Sequence, residues 1–141
     1  MKSIVVLVRH ADPAAGGADP GLSPAGSHRA GVLARILADS GITAIFTSDL
    51  RRTKETAEPV ASLLRIVPVV IANDPTAAAN QIKAAGKRVL VVGHSNTVPE
   101  FIKKLGGPAN VVIGPTEFDR FFVLQVPAHG ADSLLSMRYP G

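Results

Sequence analysis

Apolar residues along the chain fall into short unbroken runs, separated by stretches marked with glycine, proline and polar side chains. Residues 3–8 form a β-branched run with no polar alternation, the pattern of a strand covered on both faces, as in a parallel sheet. Residues 24–40 carry a helical pattern, with Ser23 as N-cap, Pro24 in the first turn and Gly41 as the C-terminal stop. Further strands are expected at 41–47, 66–72 and 88–93. Between them, 50–64 reads as a helix, and Asp74-Pro75 opens an alanine-rich helix that ends near Gly86. Residues 96–105 should be helical, and 106–115, with three Gly and two Pro, a loop. Two last strands, 118–126 and 133–138, are expected to pair as a hairpin through Pro127-Ala128-His129-Gly130. Strands alternating with helices and then closing the chain predict a three-layer α/β/α sandwich, its sheet mostly parallel with an antiparallel edge.

Composition narrows this picture by exclusion. A length of 141 residues suits one domain, 1–141, with no linker to divide it. Aromatic residues are 4%, with no Trp, so the core is aliphatic and base stacking is a poor basis for binding nucleic acid. With zero Cys, disulfides, thiolate metal sites and cysteine nucleophiles are excluded together. The apolar run at the N-terminus is cut off by Arg9 and His10, too short for a signal peptide core or a membrane span; the expected location is cytoplasmic.

The formal charge is +4, and nine of the fifteen basic residues are Arg. No basic run reaches five residues, which argues against a nucleic-acid footprint. A few cations aimed at a small anion fit the balance better. Three expected strand ends carry them: Arg9-His10-Ala11-Asp12, the segment from Thr47 to Ala57, and Gly93-His94-Ser95-Asn96. In open α/β sheets the loops at the carboxyl ends of strands build the site. Guanidinium groups bind phosphate oxygens bidentately. An imidazole can attack phosphorus, and a second can donate to an oxygen as charge builds up. Each residue also has a structural reading: a histidine can cap a strand end, and Arg9 can be a surface side chain. Arg51-Arg52 at a helix start opposes the helix dipole, which favours an anion ligand.

These segments resemble the signatures of the histidine phosphatase (phosphoglycerate mutase-like) superfamily. Arg9-His10-Ala11 resembles its Arg-His-Gly motif in an Ala variant, and Leu22-Ser-Pro-Ala-Gly26 its Leu-Thr-x-x-Gly segment. Ser48-Asp-Leu-Arg-Arg-Thr-Lys-Glu-Thr-Ala57 resembles Ser-x-Leu-x-Arg-(Ala/Thr)-x-x-Thr-Ala, and Val92-Gly93-His94 the segment with a second catalytic histidine. The resemblance implies that His10 is a nucleophile that becomes phosphohistidine. It implies that Arg9 and Arg52 hold the phosphoryl oxygens and that His94 completes the pocket. Arg51 then flanks the site, and Asp12 is read as supporting the site from behind. It implies no metal and no cofactor, and a phosphorylated partner rather than nucleic acid or membrane.

Two departures from the family pattern bear on substrate. The acid that many members carry between the second and third motifs has one candidate here, Asp74, which reads equally as the N-cap before Pro75. The chain is also too short for a capping insertion. An alkoxide leaving group needs a positioned acid, a contribution of about 10²–10⁴-fold, whereas the imidazole of a phosphohistidine is far less basic. The resemblance therefore points to the family's small branch, which includes protein phosphohistidine phosphatases, with a small phosphate monoester as the alternative substrate. Two other classes stay open: a non-catalytic phosphate-binding module, and a serine hydrolase using Ser95, whose surroundings match only part of Gly-x-Ser-x-Gly.

Overall fold

A computed structural model describes residues 2–141. The elements in chain order are β1 (Ser3–Arg9), α1 (Pro24–Leu37), β2 (Ala44–Thr47), α2 (Arg51–Leu64), β3 (Val69–Val70) and α3 (Pro75–Ala84). They are followed by β4 (Arg88–Gly93), α4 (Thr97–Lys104), β5 (Arg120–Val126), a 3-10 turn (Gly130–Ser133) and β6 (Leu134–Arg138). The strands form one sheet in the order β3-β2-β4-β1-β5-β6. β1, β2, β3 and β4 run parallel, while β5 and β6 add an antiparallel edge.

Unbroken apolar runs are needed because the two sheet faces are covered by different helices. Val5 and Leu7 of β1 point into a cluster with Ala78, Ile82, Val98, Phe101 and Ile102 of α3 and α4. Val6 and Val8 point the other way, onto Leu33, Leu37, Val60 and Ala61 of α1 and α2. β4 divides in the same manner, Val89 and Val91 against Leu90 and Val92. The α/β/α sandwich is as expected from the chain pattern.

Element ends differ in informative ways. α1 stops at Leu37 rather than 40, and a turn through Ser40 leads to Gly41, whose φ of 74° lies in the left-handed region that glycine tolerates. The strand expected at 41–47 begins only at Ala44. The strand expected at 66–72 pairs only through Val69 and Val70, at the sheet edge, since Pro68 cannot donate to the ladder. The last hairpin turns through a longer connection that includes the 3-10 turn. β5 starts at Arg120, so Phe118 is not in the sheet. Within the described residues, no helix is long and apolar enough to cross a membrane.

Candidate active site

The parallel strands β1, β2 and β4 end along one edge of the sheet, and their carboxyl ends deliver His10, the β2–α2 turn and His94 to one place. Arg9 pairs with Gly93 across the β1–β4 ladder, and His10 N–H donates to the Gly93 carbonyl at 2.8 Å. His10 and His94 follow these residues directly, so their rings meet edge to face with centroids 5.3 Å apart.

α2 supplies the third component. The hydroxyl of Thr56 accepts the Ala11 backbone N–H at 2.8 Å and donates to the Arg52 carbonyl at 2.7 Å, with Thr56 fully buried. One turn of α2 is thereby fastened to the backbone beside the nucleophile candidate. Arg52 then donates from Nε to Nε2 of His10 at 3.3 Å. The helix start lacks a side-chain cap of its own, and Asp19 accepts the Arg51 N–H at 3.0 Å. Glu55 accepts the Leu22 N–H at 2.9 Å and pairs with Arg51. The glycine-rich loop after β1 is therefore pinned to α2 through Asp19 and Leu22, both beyond Gly16-Gly17, and Arg51 is held in an ion pair.

The imidazole of His10 is 4% exposed, and its Nδ1 lies 2.8 Å from the Ala11 carbonyl. A carbonyl only accepts, so Nδ1 carries the hydrogen and Nε2 keeps the lone pair. Burial pushes the pKa of His10 down to about 4, and the charges of Arg9, Arg52 and His94 act in the same direction. Burial likewise lowers that of His94 to about 4, followed by Arg52 and Arg9. Both rings are neutral at physiological pH.

Arg9 is 8% exposed and is set by the segment that precedes β5. Its Nη1 donates to the carbonyls of Gly114, Pro115 and Glu117 at 3.0, 3.2 and 2.9 Å. The guanidinium lies 4.0 Å from the ring centroid of Phe118, which also flanks His10 at 5.8 Å. The Nε atom of Arg9 is buried with no hydrogen-bond partner among the described residues. Glu117 braces the segment, accepting from the Gly114 N–H at 2.7 Å and pairing with Arg120 and Arg138. Those donors hold its carboxyl at about 2, the Gly114 N–H foremost.

Asp12 pairs with Arg29 at 2.8 Å, while its carbonyl accepts from Ser23. Burial works to raise its pKa, but the hydrogen bond from Arg29, with backbone and charge contributions, holds it below the usual carboxylate value. Arg29 in turn donates to the Tyr139 carbonyl, so Asp12 joins α1 and the C-terminal tail to the end of β1. Asp74 accepts the Ala77 N–H at 2.9 Å and caps α3. It does not line the cavity of about 410 Å³ that opens beside Arg52 and His94, over Ile71, Val92 and Phe101. The carboxylate on that lining is Asp49, 85% exposed and paired with Lys54.

The structure therefore brings together His10, Arg9, Arg52 and His94, and it sets Asp12 and Asp74 outside that group. Sequence reasoning missed Ser48, Thr53 and Thr56, although all three lie in the segment it singled out. It also missed Phe118 and the carbonyls around Arg9. Their segment has no regular pattern, so nothing in the sequence marked it. Chemically, a buried neutral imidazole with its lone pair on Nε2 can attack a phosphoryl group whose oxygens the neighbouring guanidinium groups hold.

The model of the histidine phosphatase superfamily (branch 1) matches residues 5–74. No curated protein sequence matches the chain. Among solved structures, the protein histidine phosphatase SixA complexed with tungstate superposes with a TM-score of 0.73 at 19% identity, covering 96% of each chain. A protein assigned as phosphohistidine phosphatase SixA from Agrobacterium tumefaciens is 26% identical, with a TM-score of 0.60, over 73% of this chain and 76% of that one. A mycobacterial glucosyl-3-phosphoglycerate phosphatase is 15% identical, with a TM-score of 0.68, over 99% and 98%. The likenesses below 25% identity concern the fold alone.

Proposed function

We propose that this chain, whose residues 5–74 match the histidine phosphatase superfamily, is a phosphatase acting on protein phosphohistidine through a covalent phosphohistidine at His10. The observation that carries the reading is the state of His10: hydrogen on Nδ1, lone pair on Nε2, and a pKa of about 4. Such a ring needs no base to activate it.

In the first step the Nε2 lone pair forms a bond to phosphorus while the P–N bond of the substrate breaks. The departing imidazole takes a proton from solvent. Arg9 and Arg52 hold the phosphoryl oxygens, and His94 completes their pocket. In the second step water adds to phosphorus, the P–Nε2 bond breaks, and inorganic phosphate leaves with His10 restored.

The environment of the leaving group supports phosphohistidine over an ester. Asp74 is occupied as a cap, and Asp49, the carboxylate on the cavity wall, is exposed and paired with Lys54. An alkoxide would depart there without a positioned acid, forgoing about 10²–10⁴-fold. The cavity of about 410 Å³ beside His94 favours the second reading, a small phosphate monoester whose body would fill it. The two separate by kcat/KM measured on a phosphohistidine-bearing phosphocarrier protein and on a panel of small phosphate esters. Faster turnover of every ester than of the protein would overturn the first reading.

A further inference from the structure

Ser48 opens the segment that enters α2 and takes no part in the steps above. Its Oγ lies 2.8 Å from Nε2 of His94 and 2.8 Å from Oγ1 of Thr53, with the Leu50 N–H reaching it at 3.4 Å. Thr53 is fully buried, and its hydroxyl faces two carbonyls, those of Leu50 at 2.9 Å and Ser48 at 3.1 Å. Carbonyl oxygens only accept, so the single hydrogen of Thr53 goes to them. Thr53 Oγ1 then meets Ser48 as an acceptor, and the one hydrogen of Ser48 points at Thr53. What remains on Ser48 Oγ is lone-pair density, facing the Leu50 N–H and His94. The contact with His94 is a hydrogen bond only if Nε2 carries a hydrogen. The opposite polarity would set the Thr53 oxygen against two carbonyl oxygens with no hydrogen between them. Turning the ring over would replace the nitrogen next to Ser48 with a carbon.

We infer that Ser48, oriented by Thr53, is a positioning residue that holds His94 as its Nε2–H tautomer and leaves the lone pair on Nδ1. In a neutral imidazole the partner of one nitrogen assigns the role of the other. Nδ1 has no hydrogen-bond partner among the described residues, and the backbone N–H of His94 is fixed separately by Thr97 at 2.8 Å. The two imidazoles are thus set oppositely, His10 with hydrogen on Nδ1 and His94 with hydrogen on Nε2. The benefit to catalysis rests on the proposed function: with the hydrogen of His94 held by Ser48, the nitrogen left for the phosphoryl group is Nδ1, assigned in advance as a proton acceptor.

The test is long-range ¹H–¹⁵N correlation on the ¹⁵N-histidine-labelled full chain at pH 7, with His94 identified by the signals lost in His94→Asn. The wild-type chain should show Nε2 protonated and Nδ1 unprotonated. Ser48→Ala should populate both tautomers and lower kcat by about tenfold or more with KM nearly unchanged, the signature of a tautomer defect. Ser48→Thr should restore the tautomer and most of kcat. Thr53→Val is the sharper variant, because it conserves shape while freeing the Ser48 hydrogen to donate to Nε2, which shifts His94 toward Nδ1–H. A wild-type His94 protonated at Nδ1 would overturn the inference, as would unaltered tautomers in both Ser48→Ala and Thr53→Val. The tautomer readout needs no substrate, so a wild-type chain without turnover would count against the proposed function alone.

Discussion

Arg52 donates its Nε hydrogen to Nε2 of His10 across 3.3 Å. A cation from the first turn of α2 and a lone pair from the end of β1 are aimed at one point, forty-two residues apart in the chain. Thr56 makes this possible by tying Ala11 N–H and the Arg52 carbonyl to one hydroxyl. The pairing also selects Nε2 as the attacking atom, because Nδ1 is already engaged with the Ala11 carbonyl.

His10→Ala should abolish hydrolysis of a chromogenic aryl phosphate while circular dichroism and thermal unfolding stay near wild type. Rapid acid-free quenching of the wild-type chain with labelled substrate should trap a phosphate on His10 that survives base and is lost in acid. Full residual activity in the variant would remove His10 from the nucleophile's place.

Acid should affect activity late and stability early. His10 attacks when unprotonated and stays so down to about pH 4, so kcat/KM should decline only as pH falls toward that value. A midpoint near the ordinary histidine value of 6.5 would contradict the burial effect. For folding the sign is different. Above 6.5 both rings are neutral in both states, whereas between 6.5 and about 4 the unfolded chain binds protons that the folded chain does not. Stability is therefore complete above 6.5 and falls as pH is lowered through that window. Denaturant titrations should show this slope, and it should flatten in His10→Asn and His94→Asn.

Asp74→Asn should leave activity on esters and on phosphohistidine unchanged, since Asn caps a helix about as well as Asp. Asp74→Ala should lower stability by about 1 kcal/mol through loss of the cap on Ala77 N–H, again without a change in kcat. A strong loss of ester hydrolysis alone in Asp74→Asn would instead identify Asp74 as the acid.

Glu117→Gln should raise KM for an aryl phosphate more than it lowers kcat. Glu117 braces the segment whose carbonyls cradle Arg9, through Gly114 N–H, Arg120 and Arg138. With weaker bracing the guanidinium is held less firmly and the phosphoryl group binds less well. An unchanged KM would show that the three carbonyls hold Arg9 without that brace.

Gly26→Ala should be costly although it lies in a helix, where alanine is ordinarily favoured. A Cβ at this position of α1 would collide with the Asp12 carbonyl, which is backbone and cannot swing aside. The expected cost of such overpacking is about 1–3 kcal/mol, measured by denaturant unfolding, with a loss of activity because Asp12 adjoins the end of β1. Near-neutral stability would mean that α1 can move away without disturbing the site.

Much of this was legible in the chain because it depends on local or periodic signals. The run from Ser3 to Val8 has to be covered on both faces, and residues with period-two geometry then divide between two layers of helices. Ser23 and Asp74 announce their helices as caps, and both make the expected contacts. The residues brought together at the sheet edge were legible for a similar reason. Arg9-His10 and His94 end or follow an apolar run directly, Arg52 lies in the first turn of the helix after another, and parallel strands place such positions at the same end.

What the sequence could not supply is what depends on which atoms face each other across long separations. Asp74 read as cap or acid, and only the packing of α3 sets it outside the cavity by the site. The strand expected at 66–72 shrank to two residues because a lone edge neighbour and Pro68 limit its ladder. Phe118 read as strand, yet it stacks on Arg9, since the segment before β5 curls over β1 to offer carbonyls to a buried cation. By itself the chain determined the layers, the strand ends and the types of residue they carry, because these follow from hydrophobic periodicity and caps. The tertiary structure alone decided the protonated nitrogen of each imidazole and the carbonyls that hold Arg9. Hydrogen bonds are directional and short, and their partners lie up to 108 residues apart.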